Sequence, residues 1–124
     1  MAYHNATQVT FVIIAPKDRV EEGDRIFRSH AAWLAATHTR EGDDALLSYT
    51  VSKAPQASSP LDPNSPATGN MCFIVSEVYP TPAAVAKHIQ KAIEEWQDFP
   101  AFGEWLSRCE VAGAPAAPVI HSLW

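Results

Sequence analysis

Residues 9–15 (Val-Thr-Phe-Val-Ile-Ile-Ala) and 71–79 (Met-Cys-Phe-Ile-Val-Ser-Glu-Val-Tyr) are apolar on both alternating faces, apart from Thr10, Ser76 and Glu77. β-Branched and aromatic residues at this density read as strands, the first stopped by Pro16. A strand that is apolar on both faces must be covered on both. The chain has 124 residues, enough for one domain spanning 1–124. A domain of that size buries only about two-thirds of its unfolded surface. Both layers of cover are therefore hard to supply from within one chain.

Between these strands, residues 20–37 carry Phe27, Ala31, Leu34 and Ala35 at helical spacing, with Ile26, His30 and Trp33 beside them. Asp18 is a candidate cap, and Gly42 suits a left-handed turn after the helix. Residues 45–52 read as a second strand, with Leu47, Tyr49 and Val51 on one face. Residues 53–70 hold Pro55, Pro60, Pro63 and Pro66 with no apolar period, which predicts a long loop. After the 71–79 strand, Thr81 as cap and Pro82 at the first helical position open a second helix. Its stripe is Val85, His88 with Ile89, Ala92 and Trp96. A short helix over 101–106, a linker over 113–118 and a last strand over 119–124 complete the reading.

The order β-α-β-β-α-β defines an α+β, ferredoxin-like split arrangement. Right-handed crossovers put both helices on one face of a four-stranded antiparallel sheet. The other face would then be a large exposed apolar patch, which soluble monomers avoid. A second copy of the same sheet is the simplest cover, so the expectation is a homodimer paired through its sheet faces.

Composition removes several classes of partner. A net charge of −5 and nine scattered Lys and Arg argue against nucleic acid. No run approaches the roughly 18 apolar residues of a membrane span, and the first residues lack a signal-peptide pattern. The expectation is a soluble, cytoplasmic protein whose Cys72 and Cys109 are free thiols.

Two passages carry a family resemblance. Thr39-Arg40-Glu41-Gly42 leading into Leu47-Ser48-Tyr49-Thr50-Val51 resembles the "REGC-SY-V" passage of the antibiotic biosynthesis monooxygenase domain. Phe73-Ile74-Val75-Ser76-Glu77-Val78-Tyr79, followed by Ala83-Ala84-Val85-Ala86-Lys87-His88, is similar to its "F-hhhE-w-s-aal-aH" passage. The resemblance implies the dimeric α/β-barrel fold and a ligand site between sheet and helices. It also implies cofactor-independent oxygenation of small phenolic or quinol-type molecules, in which the substrate reduces oxygen once deprotonated. The haem-degrading branch is set apart by an Asn on its first strand, which residues 9–15 lack.

The sequence contains no GxGxxG, GxxxxGK, HExxH or GxSxG. Its five histidines, at 4, 30, 38, 88 and 121, are too dispersed for a local metal site, so neither a metal nor another cofactor is expected. The candidate catalytic groups are His88, as a base near neutral pH, and Tyr49, as a partner for a substrate oxygen. Trp33, Trp96, Phe99, Trp105 and His30 are candidate walls for an aromatic substrate, with Phe102 extending them. Glu77 is expected to be a structural charge paired with Arg40, and His38 to be solvated near its helix end. A cyclase or isomerase would need the same parts. A non-catalytic dimer that binds a small apolar ligand or assists a larger enzyme is the competing reading.

Overall fold

The computed structural model describes residues 3–123. Strand β1 (Thr7–Ala15) is followed by a one-turn 3₁₀ helix at Lys17–Arg19 and by α1 (Val20–Thr37). Strands β2 (Ser48–Ala57) and β3 (Ala67–Tyr79) come next, then α2 (Pro82–Glu95), the short α3 (Phe99–Leu106) and β4 (Glu110–Pro118). The sheet order is β2-β3-β1-β4 with every pair antiparallel, the ferredoxin-like α+β arrangement expected from the element order.

Period-2 alternation divides the sheet cleanly. Val9, Ile13 and Ala15 of β1 and Phe73, Val75, Glu77 and Tyr79 of β3 point toward the helices and are buried. Their neighbours Val12 and Ile74, paired across the two strands, point the other way and are each 37% exposed. Ile14 and Cys72 beside them are half-buried, so among the described residues an apolar stripe of Val12, Ile14, Cys72 and Ile74 is at least partly open to solvent, while Val78 at the end of the same face is buried.

Helix α1 has no side-chain cap: Asp18 lies in the 3₁₀ turn instead. Its buried stripe is Gly23, Ile26, Phe27, His30 and Leu34. Ala31 and Ala35, expected on that stripe, face solvent, because the helix is turned to bring Gly23 and His30 inward. Gly23 is where α1 approaches the sheet: a Cβ there would lie 2.5 Å from Trp105 and 2.9 Å from Phe73. Helix α2 begins as read, with the Thr81 side chain accepting from the Ala84 N–H at 3.1 Å and Pro82 in the first turn. It buries Val85, His88 and Ala92, with Trp96 just beyond its end.

Two stretches of the sequence reading are corrected. Half of the stretch read as a loop is strand: β2 and β3 stay paired from Ser48↔Val78 out to Ala57↔Ala67, and the loop is confined to residues 58–66. Prolines misled because Pro55 sits at an edge strand, where a missing N–H costs no ladder bond. The fourth strand is Glu110–Pro118, not 119–124. The small residues of 113–118 read as a linker, yet Gly113 is what lets β4 lie against Phe11, since a Cβ there would be 2.5 Å from that ring. Residues 119–123 follow the strand, and Trp124 lies outside the described residues.

Candidate functional site

A cavity of about 200 Å³ lies between the sheet and the helices. Phe11, Phe27, Trp96, Phe99 and Phe102 give it apolar walls. Its polar lining is confined to His30, Glu77 and His88. All three are at least nine-tenths buried: 7%, 3% and 8% exposed.

Each of these groups arrives by the periodicity of its own element. Glu77 is two residues from Val75 and two from Tyr79, so alternation turns it inward at the middle of the sheet, flanked by Val9 and Tyr49. His30 is three residues after Phe27, and His88 three after Val85, so both helices aim an imidazole over Glu77.

Three groups behind the site fix its geometry. Tyr79 Oη donates to Glu77 Oε1 at 2.6 Å. His30 Nδ1 and Tyr49 Oη share a hydrogen bond of 3.0 Å. His88 Nδ1 bonds His38 Nε2 at 2.9 Å, while its Nε2 lies 3.3 Å from Glu77 Oε1. His38 is positioned in turn by the Thr37 hydroxyl, 2.9 Å from its Nδ1. The aromatic rings of Trp33 and Trp96 pack on His30 at 6.0 and 4.7 Å.

Burial dominates the electrostatics. It pushes the Glu77 carboxyl up to about 7, against the opposing hydrogen bond from Tyr79. It pushes His30 down to about 4 and His88 to about 3, assisted by neighbouring imidazoles. Both rings are therefore uncharged at neutral pH. The Tyr49 and Tyr79 hydroxyls are raised by burial, next to Glu77, and stay protonated.

His88, His30, Trp96 and Phe99 line the cavity as expected from the sequence. Tyr49 stands behind His30 rather than in the cavity wall. Trp33 also stands behind, stacked on the imidazoles, with its buried Nε1 making no hydrogen bond among the described residues. Trp105 does not line the cavity: it is sunk in the core against Phe27 and Phe73 with its Nε1–H donating to the Arg19 carbonyl at 2.8 Å. Glu77 is not paired with Arg40, which is exposed; its partners are Tyr79 and His88. His38, expected to be solvated near its helix end, is instead half-buried and bonded to His88: it caps α1 at its C-terminal end, and the spacing 30, 34, 38 keeps it on the side of His30 and Leu34.

Fold and site together define an α+β, ferredoxin-like protein with an apolar internal cavity and a histidine–carboxylate cluster at one end of it. A similar solved structure is that of a dimeric ferredoxin-like protein from an uncultured marine organism. It is 11% identical, superposes with a TM-score of 0.60, and the match covers 95% of this chain and 99% of that one. At that identity the likeness is one of fold. No protein-family model matches the sequence, and no curated protein is similar to it. No helix among the described residues is long and apolar enough to cross a membrane.

Proposed function

We propose that this chain is an enzyme acting on a small aromatic, phenolic or quinol-type molecule held in the helix–sheet cavity, as an oxygenase without flavin or haem. The observation that carries the reading is the confinement of polar lining to one end. An aromatic ring fits the apolar part, and a ring hydroxyl is directed to His30, Glu77 and His88. A cavity of about 200 Å³ exceeds the roughly 150 Å³ that holds a benzene and falls short of drug-sized sites, so one or two fused rings fit best.

Ionising the hydroxyl makes the ring electron-rich enough to reduce dioxygen. Where a ring methylene becomes a carbonyl, the substrate supplies all four electrons, one oxygen atom enters the product and the other leaves as water. The dry walls protect the reactive intermediate from side reactions. The resemblance of residues 39–51 and 73–88 to the antibiotic biosynthesis monooxygenase domain supports this chemistry, with residues 1–124 acting as one such domain.

The same reading pairs two copies through the open sheet face. The apolar stripe around Val12 and Ile74 supports it, as does the description of the similar structure as dimeric.

Oxygen uptake with a panel of one- and two-ring hydroquinones and phenols tests the proposal. Wild-type protein is expected to exceed the uncatalysed rate with at least one of them, and His88→Ala to lose at least 100-fold of that excess. If the wild type turns over none of the panel, the oxygenase reading fails. Stoichiometric binding of an unchanged aromatic molecule would then identify a binding protein.

A further inference from the structure

We propose that His30, Glu77 and His88 bind one divalent first-row transition metal ion, with zinc and ferrous iron as the best-matched ions. This inference rests on the proposed function, because it names what holds the substrate hydroxyl at the polar end of the cavity.

The donor set is the first argument. Two imidazole nitrogens and one carboxylate oxygen suit borderline transition ions and disfavour magnesium and calcium, which prefer all-oxygen shells. These three residues, each at least nine-tenths buried, offer ligand atoms that all lie within 4.8 Å of one another. Ligands held at about 2.0–2.2 Å from one ion stand about 3–4 Å apart. The His88 Nε2 to Glu77 Oε1 separation of 3.3 Å already meets that spacing. An inward side-chain movement of about half an ångström would bring the widest pair into range.

The outer shell is the second argument. A ligating histidine is normally oriented by a hydrogen bond at its other ring nitrogen, and a ligating carboxylate by a donor of its own. All three ligands have such a partner: Tyr49 for His30 Nδ1, His38 for His88 Nδ1 and Tyr79 for Glu77. This arrangement leaves His30 Nε2 and Glu77 Oε2 with no hydrogen-bond partner among the described residues. Both imidazoles are held uncharged by burial, which is the form that ligates.

The third argument is access and charge. His38 and His88 also line a separate, open cleft that contains Lys87, Lys91 and Glu94, so the His88 ring is all that the two spaces share as a wall, and an ion entering from the cleft would pass at that ring. Three protein ligands leave coordination positions open toward the apolar walls, as in catalytic rather than structural sites. One dipositive ion and one carboxylate leave a single positive charge, which a bound phenolate would cancel. Such an ion supplies a Lewis acid that lowers the pKa of a coordinated hydroxyl. Electrons still come from the substrate.

The test is calorimetric titration of chelator-treated full chain with Zn²⁺, together with the visible absorption of the Co²⁺-loaded protein. Binding of one ion per chain at micromolar affinity or better is expected, with Co²⁺ giving d–d bands. Glu77→Gln should weaken binding at least 100-fold, and His38→Gln, which removes no ligand, about 10- to 100-fold. Circular dichroism identifies any variant that fails to fold, and His38→Gln then decides alone. Absence of saturable Zn²⁺ binding by the wild type, including after refolding with the ion present, overturns the proposal. So does equal affinity in wild type and both variants. Metal binding without oxygen uptake supports the site and refutes only the oxygenase reading; oxygen uptake by protein that binds no ion refutes only the site.

Discussion

Gly23→Ala sets two effects against each other, and the structure gives their sizes. Alanine is favoured over glycine inside a helix by about 1 kcal/mol, and Gly23 lies in the first turns of α1. Against this, the new methyl would lie 2.5 Å from Trp105 Cζ2 and 2.9 and 3.1 Å from two atoms of Phe73. Neither ring is free to yield. Each is 1% exposed, the two pack edge-to-face at 5.4 Å, and the Trp105 indole is tied to the Arg19 carbonyl. Overpacking a filled core costs about 1–3 kcal/mol, and two immobile rings place this case in the upper half of that range. The net loss is about 1–2 kcal/mol, or about 4–8 °C in Tm for a chain of this size. Gly103→Ala is the matched control: it sits in α3 with nothing within 4 Å of its added methyl, so propensity alone acts and about 0.5–1 kcal/mol is gained. Urea unfolding followed by tryptophan fluorescence measures both. If Gly23→Ala is as stable as wild type or more so while Gly103→Ala gains, the helix is not pressed against Trp105 and Phe73 as described.

Other predictions concern the rim, the indoles and the open sheet. Asp98 is held below its ordinary pKa by the Ser29 hydroxyl and then by Arg25, so its stabilisation is present above the ordinary carboxylate value and is lost as pH falls through the lower, folded one. Asp98→Asn should therefore destabilise at pH 7, by at most about 1 kcal/mol at this partly exposed site, and its difference from wild type should shrink below pH 3 in urea midpoints. Trp105→Phe removes a satisfied donor and leaves the Arg19 carbonyl short of a partner, whereas Trp33→Phe removes a donor that has none. Trp105→Phe should be the more damaging by about 1 kcal/mol or more in the same assay, and equal losses would contradict the assigned bonding. Ile74→Lys puts a charge in the middle of the open sheet face; light scattering should give a dimer for wild type and a monomer for the variant, and an unchanged dimer would move the pairing elsewhere.

The elements that carry strong periodicity were legible in the sequence, and so was their order. Helix α1 was bounded correctly at Val20 and Thr37, and α2 announced itself through Thr81 and Pro82. Strand β4 was not legible, because its Ala, Gly and Pro residues have almost no β propensity and it is held by pairing with β1 rather than by its own side chains. The outer half of the β2–β3 hairpin was hidden in the same way, by register inherited from the inner half. At the site, His88, His30 and Trp96 could be found from helical spacing. Glu77 was noticed as the one charge in its strand, but which charged group faces it depends on how α1 and α2 cross the sheet. That relation brings His30 and His88, 58 positions apart in the chain, over one carboxylate, and spacing along the sequence says nothing about it.

The length of the β2–β3 hairpin has a practical side. Its pairing continues to Ala57↔Ala67, whereas β1 stops at Ala15 opposite Met71, so the last rungs form a two-stranded ribbon with no flanking strand. A ribbon of two strands is marginal by itself. Its amide protons should exchange with deuterium well before those of the four-stranded body, and a protease offered the folded protein should cut there first. The turn at its end carries Leu61, 94% exposed, and none of residues 58–66 lines the cavity. For anyone wishing to attach a fluorophore, an affinity tag or a surface tether, that turn is the place where the chain will tolerate it.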